Sequence, residues 1–199
     1  MGKGGGPPDP AGRNLVVLSG PSGAGKTTVA RALREQTDLA LSTSATTRPP
    51  RPCEGDGKDY YFLTEEAFRK RVAAGGFVEW AEVFGRLYGT PVRELERAAK
   101  EGKTLLLEID VQGGIQVKRK YPEALAILLM PPDAATQRER LSKRGTETPE
   151  ELERRFAKAQ EEVRTARASG CYDAEVVNDD LRRAVRDVVR ILERRRSQA

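Results

Sequence analysis

Eight consecutive residues carry the most specific chemistry in the chain: Gly20-Pro21-Ser22-Gly23-Ala24-Gly25-Lys26-Thr27. They match the pattern G-x-x-x-x-G-K-[ST]. Glycines at these positions let backbone N–H groups turn inward around a row of phosphates. Lys26 can then reach the β- and γ-phosphates. The Thr27 hydroxyl suits Mg2+, held mostly through ATP phosphates and water. A helix starting near Lys26 points its positive dipole end at the same place. The loop asks for a nucleoside triphosphate with magnesium and leaves the phosphate acceptor open.

A phosphate monoester acceptor must be gripped by arginines and hydroxyls, because its charge repels the triphosphate. Arg48 and Arg51 lie three residues apart among prolines that stiffen the backbone. Tyr60 and Tyr88 can each donate one neutral hydrogen bond. Glu79 stands beside Trp80 in an apolar stretch, and a buried carboxylate needs donors. Guanine offers two adjacent ones, N1–H and the 2-amino group, whereas adenine presents an acceptor at N1. Spacing alone leaves Glu79 equally an ordinary strand residue.

These side chains need elements to position them. Leu15–Leu18 is a short apolar run before the loop, and Val29, Ala30 and Leu33 share one face of the helix after it. Further strands are expected at 104–110, 125–129 and 174–178, and helices at 112–120, 133–143, 150–168 and 180–195. Asp133 suits an N-cap. Thr148-Pro149-Glu150-Glu151 reads as a capped helix start. The last helix shows apolar Leu181, Val185, Val188, Val189 and Leu192, with Arg194–Arg196 read as its C-terminal cap. Continuous apolar strands alternating with helices predict an α/β fold, a parallel sheet covered on both faces. The stretch 44–94 differs. It holds Arg48-Pro49-Pro50-Arg51-Pro52, most of the aromatics, an alternating strand at 77–83 and its hairpin partner at 86–89, and reads as an insertion.

Composition narrows the classes. The chain has 199 residues, 38% hydrophobic and 33% charged, with a mean hydropathy of −0.60. That suits one globular domain with inserted parts. No apolar run is long enough for a membrane span, and the Gly/Pro-rich start at 1–12 reads as a disordered leader without an export signal. Absence of histidine removes Ser-His-Asp and Cys-His chemistry. Two cysteines, Cys53 and Cys171, read as free thiols in a cytoplasmic protein. Net charge is +5, and 25 of the 35 basic residues are Arg, the better fork for phosphate oxygens. The aromatics are not interleaved with the basic residues, so nucleic acid is not expected as a partner.

The phosphate loop, Ser44-Ala45-Thr46-Thr47-Arg48-Pro49-Pro50-Arg51, Gly57-Lys58-Asp59-Tyr60-Tyr61-Phe62 and Phe77-Val78-Glu79-Trp80 together resemble the guanylate kinase family. So do Tyr88-Gly89-Thr90, Leu107–Gly113, Arg144-Gly145-Thr146-Glu147 and Val177-Asn178-Asp179-Asp180. The resemblance implies transfer of the γ-phosphoryl of ATP to GMP, and dGMP as well, giving ADP and GDP. It implies a P-loop core over 13–43, 95–137 and 157–199, a mixed α+β GMP-binding insertion at 44–94 and a small helical lid at 138–156. Gly20 to Thr28 would hold ATP, with Asn178 near the adenine. Ser44, Glu79, Thr90 and Asp110 would face guanine, and Arg48, Arg51, Tyr60 and Tyr88 the GMP phosphate. Glu108 would also belong to the GMP site, and Glu108 and Asp110 would close a strand near Mg2+. Glu108 replaces an aspartate found in some members, and its contact is one methylene longer. Lys26, Arg48, Arg140, Arg144 and Arg155 would carry the charge of the transferring group. The resemblance decides neither monomer nor homo-oligomer. A ribosyl bisphosphate kinase on the same loop and an inactive guanylate-kinase-like scaffold are the rival readings. An intact Lys26 and Thr27 speak against the scaffold.

Overall fold

The computed structural model describes residues 10–143 and 148–198. One helical turn, α1 (Pro10–Arg13), precedes β1 (Leu15–Ser19), α2 (Lys26–Gln36) and β2 (Leu39–Leu41). Next come β3 (Ala45–Thr46), β4 (Tyr61–Phe62), α3 (Glu65–Ala73), β5 (Phe77–Val83), β6 (Arg86–Pro91) and α4 (Val92–Lys100). The chain returns through β7 (Thr104–Ile109), α5 (Val111–Lys120), β8 (Leu125–Met130) and α6 (Ala134–Ser142). It finishes with α7 (Pro149–Ser169), β9 (Ala174–Val177) and α8 (Leu181–Gln198).

Five strands form one parallel sheet in the order β2-β7-β1-β8-β9. The apolar runs are continuous because both faces are covered. On one face Val29, Ala30 and Leu33 of α2 and Val185 and Val188 of α8 pack on Val16, Leu18, Leu106 and Ile127. On the other, Ala98 of α4 and Val117 of α5 pack on Val17, Leu105, Leu107 and Ala126. β1 is central, with β7 and β8 on opposite sides, so a crevice opens beyond its carboxyl end. The phosphate loop occupies that end.

A second sheet, β4-β3-β6-β5, is built from residues 45–91. β5 and β6 form the expected antiparallel hairpin, paired from Val83↔Arg86 to Phe77↔Pro91. Its small core gathers Ala45, Phe68, Phe77 and Leu87, with the Phe68 and Phe77 rings stacked at 4.4 Å.

Three sequence expectations need adjustment. Pro10–Arg13 is helical, with buried Gly12 backed by Tyr121 and Glu123, so the leader read at 1–12 overlaps ordered chain. Residues 1–9 lie outside the described residues. The last helix runs on to Gln198, because Arg195 donates to the Glu123 carbonyl and ties that end to the body. Arg195 and Arg196 of the triplet fall in the last turn of the helix, at the end where the sequence placed them. Leu181, assigned to the apolar face of that helix, is 37% exposed. Both expected caps are present: Asp133 accepts from the Thr136 N–H at 2.7 Å, and Thr148 and Glu151 form a full capping box at the start of α7.

Candidate active site

The loop between β1 and α2 is held in shape by other parts of the chain. Asn178 donates its Nδ2 to the Ala24 carbonyl at 2.8 Å. A Cβ on Gly25, whose φ is +88°, would lie 2.4 Å from that same nitrogen, so only glycine fits there. Buried Gln137 donates to the Ser22 carbonyl at 2.7 Å, and the Ser22 N–H donates to Glu162 of α7 at 2.9 Å. Lys26 folds back onto the loop, donating to the Gly20 and Pro21 carbonyls at 2.7 and 3.2 Å. Thr27 donates to Glu108 at 2.5 Å. Thr28, Gly23, Gly25, Arg140, Asn178, Asp179 and Leu181 line a cavity of about 340 Å3 beside the loop. Arg140 holds the Asn178 carbonyl at 2.8 Å with one guanidinium nitrogen. Its other terminal nitrogen is buried without a hydrogen-bond partner among the described residues, a costly state that a phosphate oxygen would relieve.

On the acceptor side Glu79 is 5% exposed. One oxygen accepts from both the N–H and the hydroxyl of buried Thr90, at 2.8 and 2.7 Å. Burial above all, helped by the nearby Asp110 charge and opposed by Thr90, pushes the Glu79 carboxyl up to about 7. Gly113 leaves room for the second oxygen, since a Cβ there would approach it to 2.7 Å. Asp110 falls one residue beyond β7 and caps α5, accepting from the Gly113 N–H at 2.8 Å. Ser22 and Lys26 of the loop share a cavity of about 190 Å3 with Ser44, Tyr60, Glu79, Tyr88, Glu108 and Asp110. A wider cavity of about 610 Å3 opens next to it, reaching Thr27, Ser44, Arg51, Tyr60 and Glu108.

Arg48 is turned elsewhere. Its guanidinium donates to the two oxygens of Glu54 at 2.8 and 2.9 Å and to the Pro49 carbonyl at 2.7 Å, and the Glu54 carboxylate also accepts from the Arg51 N–H at 2.8 Å. The Arg48 guanidinium lies 5.4 Å from the centre of the Tyr60 ring, and Tyr60 meets Tyr88 edge-on at 6.1 Å. The structure thus brings together Lys26, Thr27, Ser44, Tyr60, Glu79, Tyr88, Thr90, Glu108 and Asp110, with Arg48 and Arg51 at the rim. Arg155 faces Phe84 at the hairpin tip. Arg144 lies outside the described residues. Sequence reasoning missed Glu54, Gln137 and Glu162. Glu54 carried a usable signal, an acid three residues after an arginine in a turn; the other two look like ordinary polar helix positions. Among the described residues no cluster of three or more His, Cys, Asp or Glu could hold a metal. No helix among them is long and apolar enough to cross a membrane.

A phosphate loop that opens into the same small cavity as a buried carboxylate defines a P-loop phosphotransferase for a compact, phosphorylated acceptor. Known proteins identify which one. The family model described as guanylate kinase matches residues 12–195. Proteins named guanylate kinase from Thermus thermophilus (49% identical, over 92% of this chain and 83% of theirs) and Symbiobacterium thermophilum (45%, over 89% and 83%) are similar throughout. The crystal structure of guanylate kinase from Anaplasma phagocytophilum superimposes with a TM-score of 0.72 at 34% identity, covering 90% of this chain and 84% of that one. The chain belongs to the guanylate kinase family, and its activity is ATP-dependent phosphorylation of GMP. The sugar-phosphate kinase and scaffold readings are not favoured.

Proposed function

We propose that transfer is in-line from ATP to a GMP seated against Glu79, and that dGMP serves as a second acceptor. The observation that carries this reading is the shared cavity, into which phosphate-loop Ser22 and Lys26 and acceptor-side Glu79, Ser44 and Tyr88 all project. Donor and acceptor can lie adjacent there without moving the core sheet. In this reading Glu79 accepts from guanine N1–H and the 2-amino group, with Ser44, Thr90 and Asp110 around the ring. Arg48, Arg51, Tyr60 and Tyr88 hold the GMP phosphate, which requires Arg48 to leave Glu54. The phosphate itself is largely ionised at neutral pH, with a second pKa of about 6. It is already nucleophilic, so a chain without histidine lacks nothing the reaction needs.

Catalysis is then positioning and charge neutralisation. Lys26 exchanges its carbonyl partners for phosphate oxygens, and the unsatisfied nitrogen of Arg140 takes another. Arg144 and Arg155 complete the set by resemblance to the family. Mg2+ would suit the oxygen donors of Thr27 and Glu108, which lie within hydrogen-bond reach of each other beside the loop. Thr27 would hold the ion with the ATP phosphates and water, and Glu108 would orient that water. When bound, the ion supplies neutralisation of phosphate charge.

Steady-state kinetics of two variants test the assignments. Lys26→Ala and Arg140→Ala should each lower kcat, by about 10³-fold where the residue contacts the transferring phosphoryl. The KM for GMP should change little. Parental kcat in either variant would remove that residue from the transfer step.

A further inference from the structure

The tip of the β5–β6 hairpin carries an unfavourable residue. Val83 pairs directly with Arg86, leaving a two-residue turn of Phe84 and Gly85. Both have positive φ, +51° and +70°, which defines a turn that favours Asn-Gly. A bulky aromatic in the left-handed region is strained, and Phe84 is also 41% exposed. Such an outlier points toward a use.

What the ring meets is α7. The Lys158 ammonium lies 4.3 Å from the ring centre, and the Arg155 guanidinium 5.9 Å. Arg155, Lys158 and Glu162 are spaced by three and four residues, so they share one face of that helix. Glu162 is the carboxylate bonded to the Ser22 N–H of the phosphate loop. One face of α7 therefore touches the ATP side through Glu162 and the acceptor-side hairpin through Phe84.

We infer that Phe84 is a positioning residue for phosphoryl transfer. Its ring holds the α7 cations against the acceptor-side hairpin, so Arg155 is presented to the phosphates in register with bound GMP. The ring touches neither substrate and acts through Arg155; the inference rests on the role proposed above for that arginine. The strained turn is the cost of placing an aromatic face at a point of the hairpin that reaches α7.

The test uses the full chain with Phe84→Asn, Phe84→Trp, Arg155→Ala and the double variant Phe84→Asn/Arg155→Ala. Asn-Gly suits the turn, so Phe84→Asn should keep Tm within about 2 °C of the parent or raise it. It should nevertheless lower kcat about fivefold, the scale of a cation–π contact, with the KM for GMP little changed. Phe84→Trp, which keeps an aromatic face, should restore kcat. In the Arg155→Ala background Phe84→Asn should have no further effect, because both changes remove one function. Parental kcat in Arg155→Ala would overturn the arginine's role and the inference with it. A loss in Arg155→Ala alongside parental kcat in Phe84→Asn, or fully additive losses, would overturn the inference and leave the arginine standing.

Discussion

Glu79 occupies a position that is costly for a carboxylate: it is enclosed, it feels the charge of nearby Asp110, and among the described residues it has donors on one oxygen only. Its folded value of about 7 lies above the ordinary 4.5. Between those values the folded chain holds the proton more tightly than the unfolded chain. Stability from this group is fully present below about pH 4.5 and is lost as pH rises through about 7. Glu79→Gln has no charge to bury, so its Tm should gain on the parent between about pH 5 and pH 8. A Tm difference that stays constant over that range would deny the raised value. Guanine donors favour the ionised form, so GMP binding near pH 6 should release about one more proton from the parent than from Glu79→Gln. Calorimetry in buffers of different ionisation heat reads this directly.

Residues of this kind were legible in the sequence to different degrees. Lys26 and Thr27 belong to a contiguous motif whose spacing encodes their chemistry. Glu79 was legible only as a choice between a guanine partner and a strand residue, because its burial depends on Thr90 and Gly113 from other elements. Glu54 and Glu162 act through partners 6 and 140 residues distant. Nothing in a local window separates Glu162 from its solvent-facing neighbour Glu161.

Elements followed the same division. β1 and β8 are runs of four or more apolar residues and β7 holds three in a row, and the pattern that marks them also buries them. β3 and β4 are only two residues long, too short for any periodicity. β3 exists because β6 offers an edge, with Ala45 and Thr46 paired to Gly89 and Tyr88, and β4 because β3 offers the next, with Tyr61 and Phe62 paired to Ala45 and Thr46. The hairpin was readable from its alternation; α3 and α4 around it were not assigned. α7 was readable from its start. Thr148 accepts from the Glu151 N–H at 3.3 Å while Glu151 accepts from the Thr148 N–H at 2.9 Å. Thr148→Ala should cost about 1 kcal/mol and lower Tm by about 2–4 °C, measured by thermal unfolding. A larger loss would mean that Thr148 stabilises the fold by more than its cap. Since α7 carries Arg155 and Glu162, a kcat loss beyond the stability effect would show that the start of the helix is coupled to the site.

Taken whole, the molecule sets two sheets against one crevice. The parallel sheet ends at the phosphate loop, the smaller sheet brings Glu79 and Tyr88, and α7 touches both. In the proposed reaction each part of the inventory has a chemical counterpart: arginines and lysine for phosphate charge, a carboxylate for guanine, and no general base required. The claim that joins them is that Glu79 selects the acceptor base. ADP formation from Mg·ATP, with GMP, AMP, CMP and UMP each offered alone to the parent and to Glu79→Gln, tests it most directly. The account predicts turnover of the parent with GMP and not with the other three, and a loss of about 10²-fold or more in kcat/KM for GMP in Glu79→Gln. Comparable parental turnover with AMP, or undiminished GMP turnover in Glu79→Gln, would contradict it.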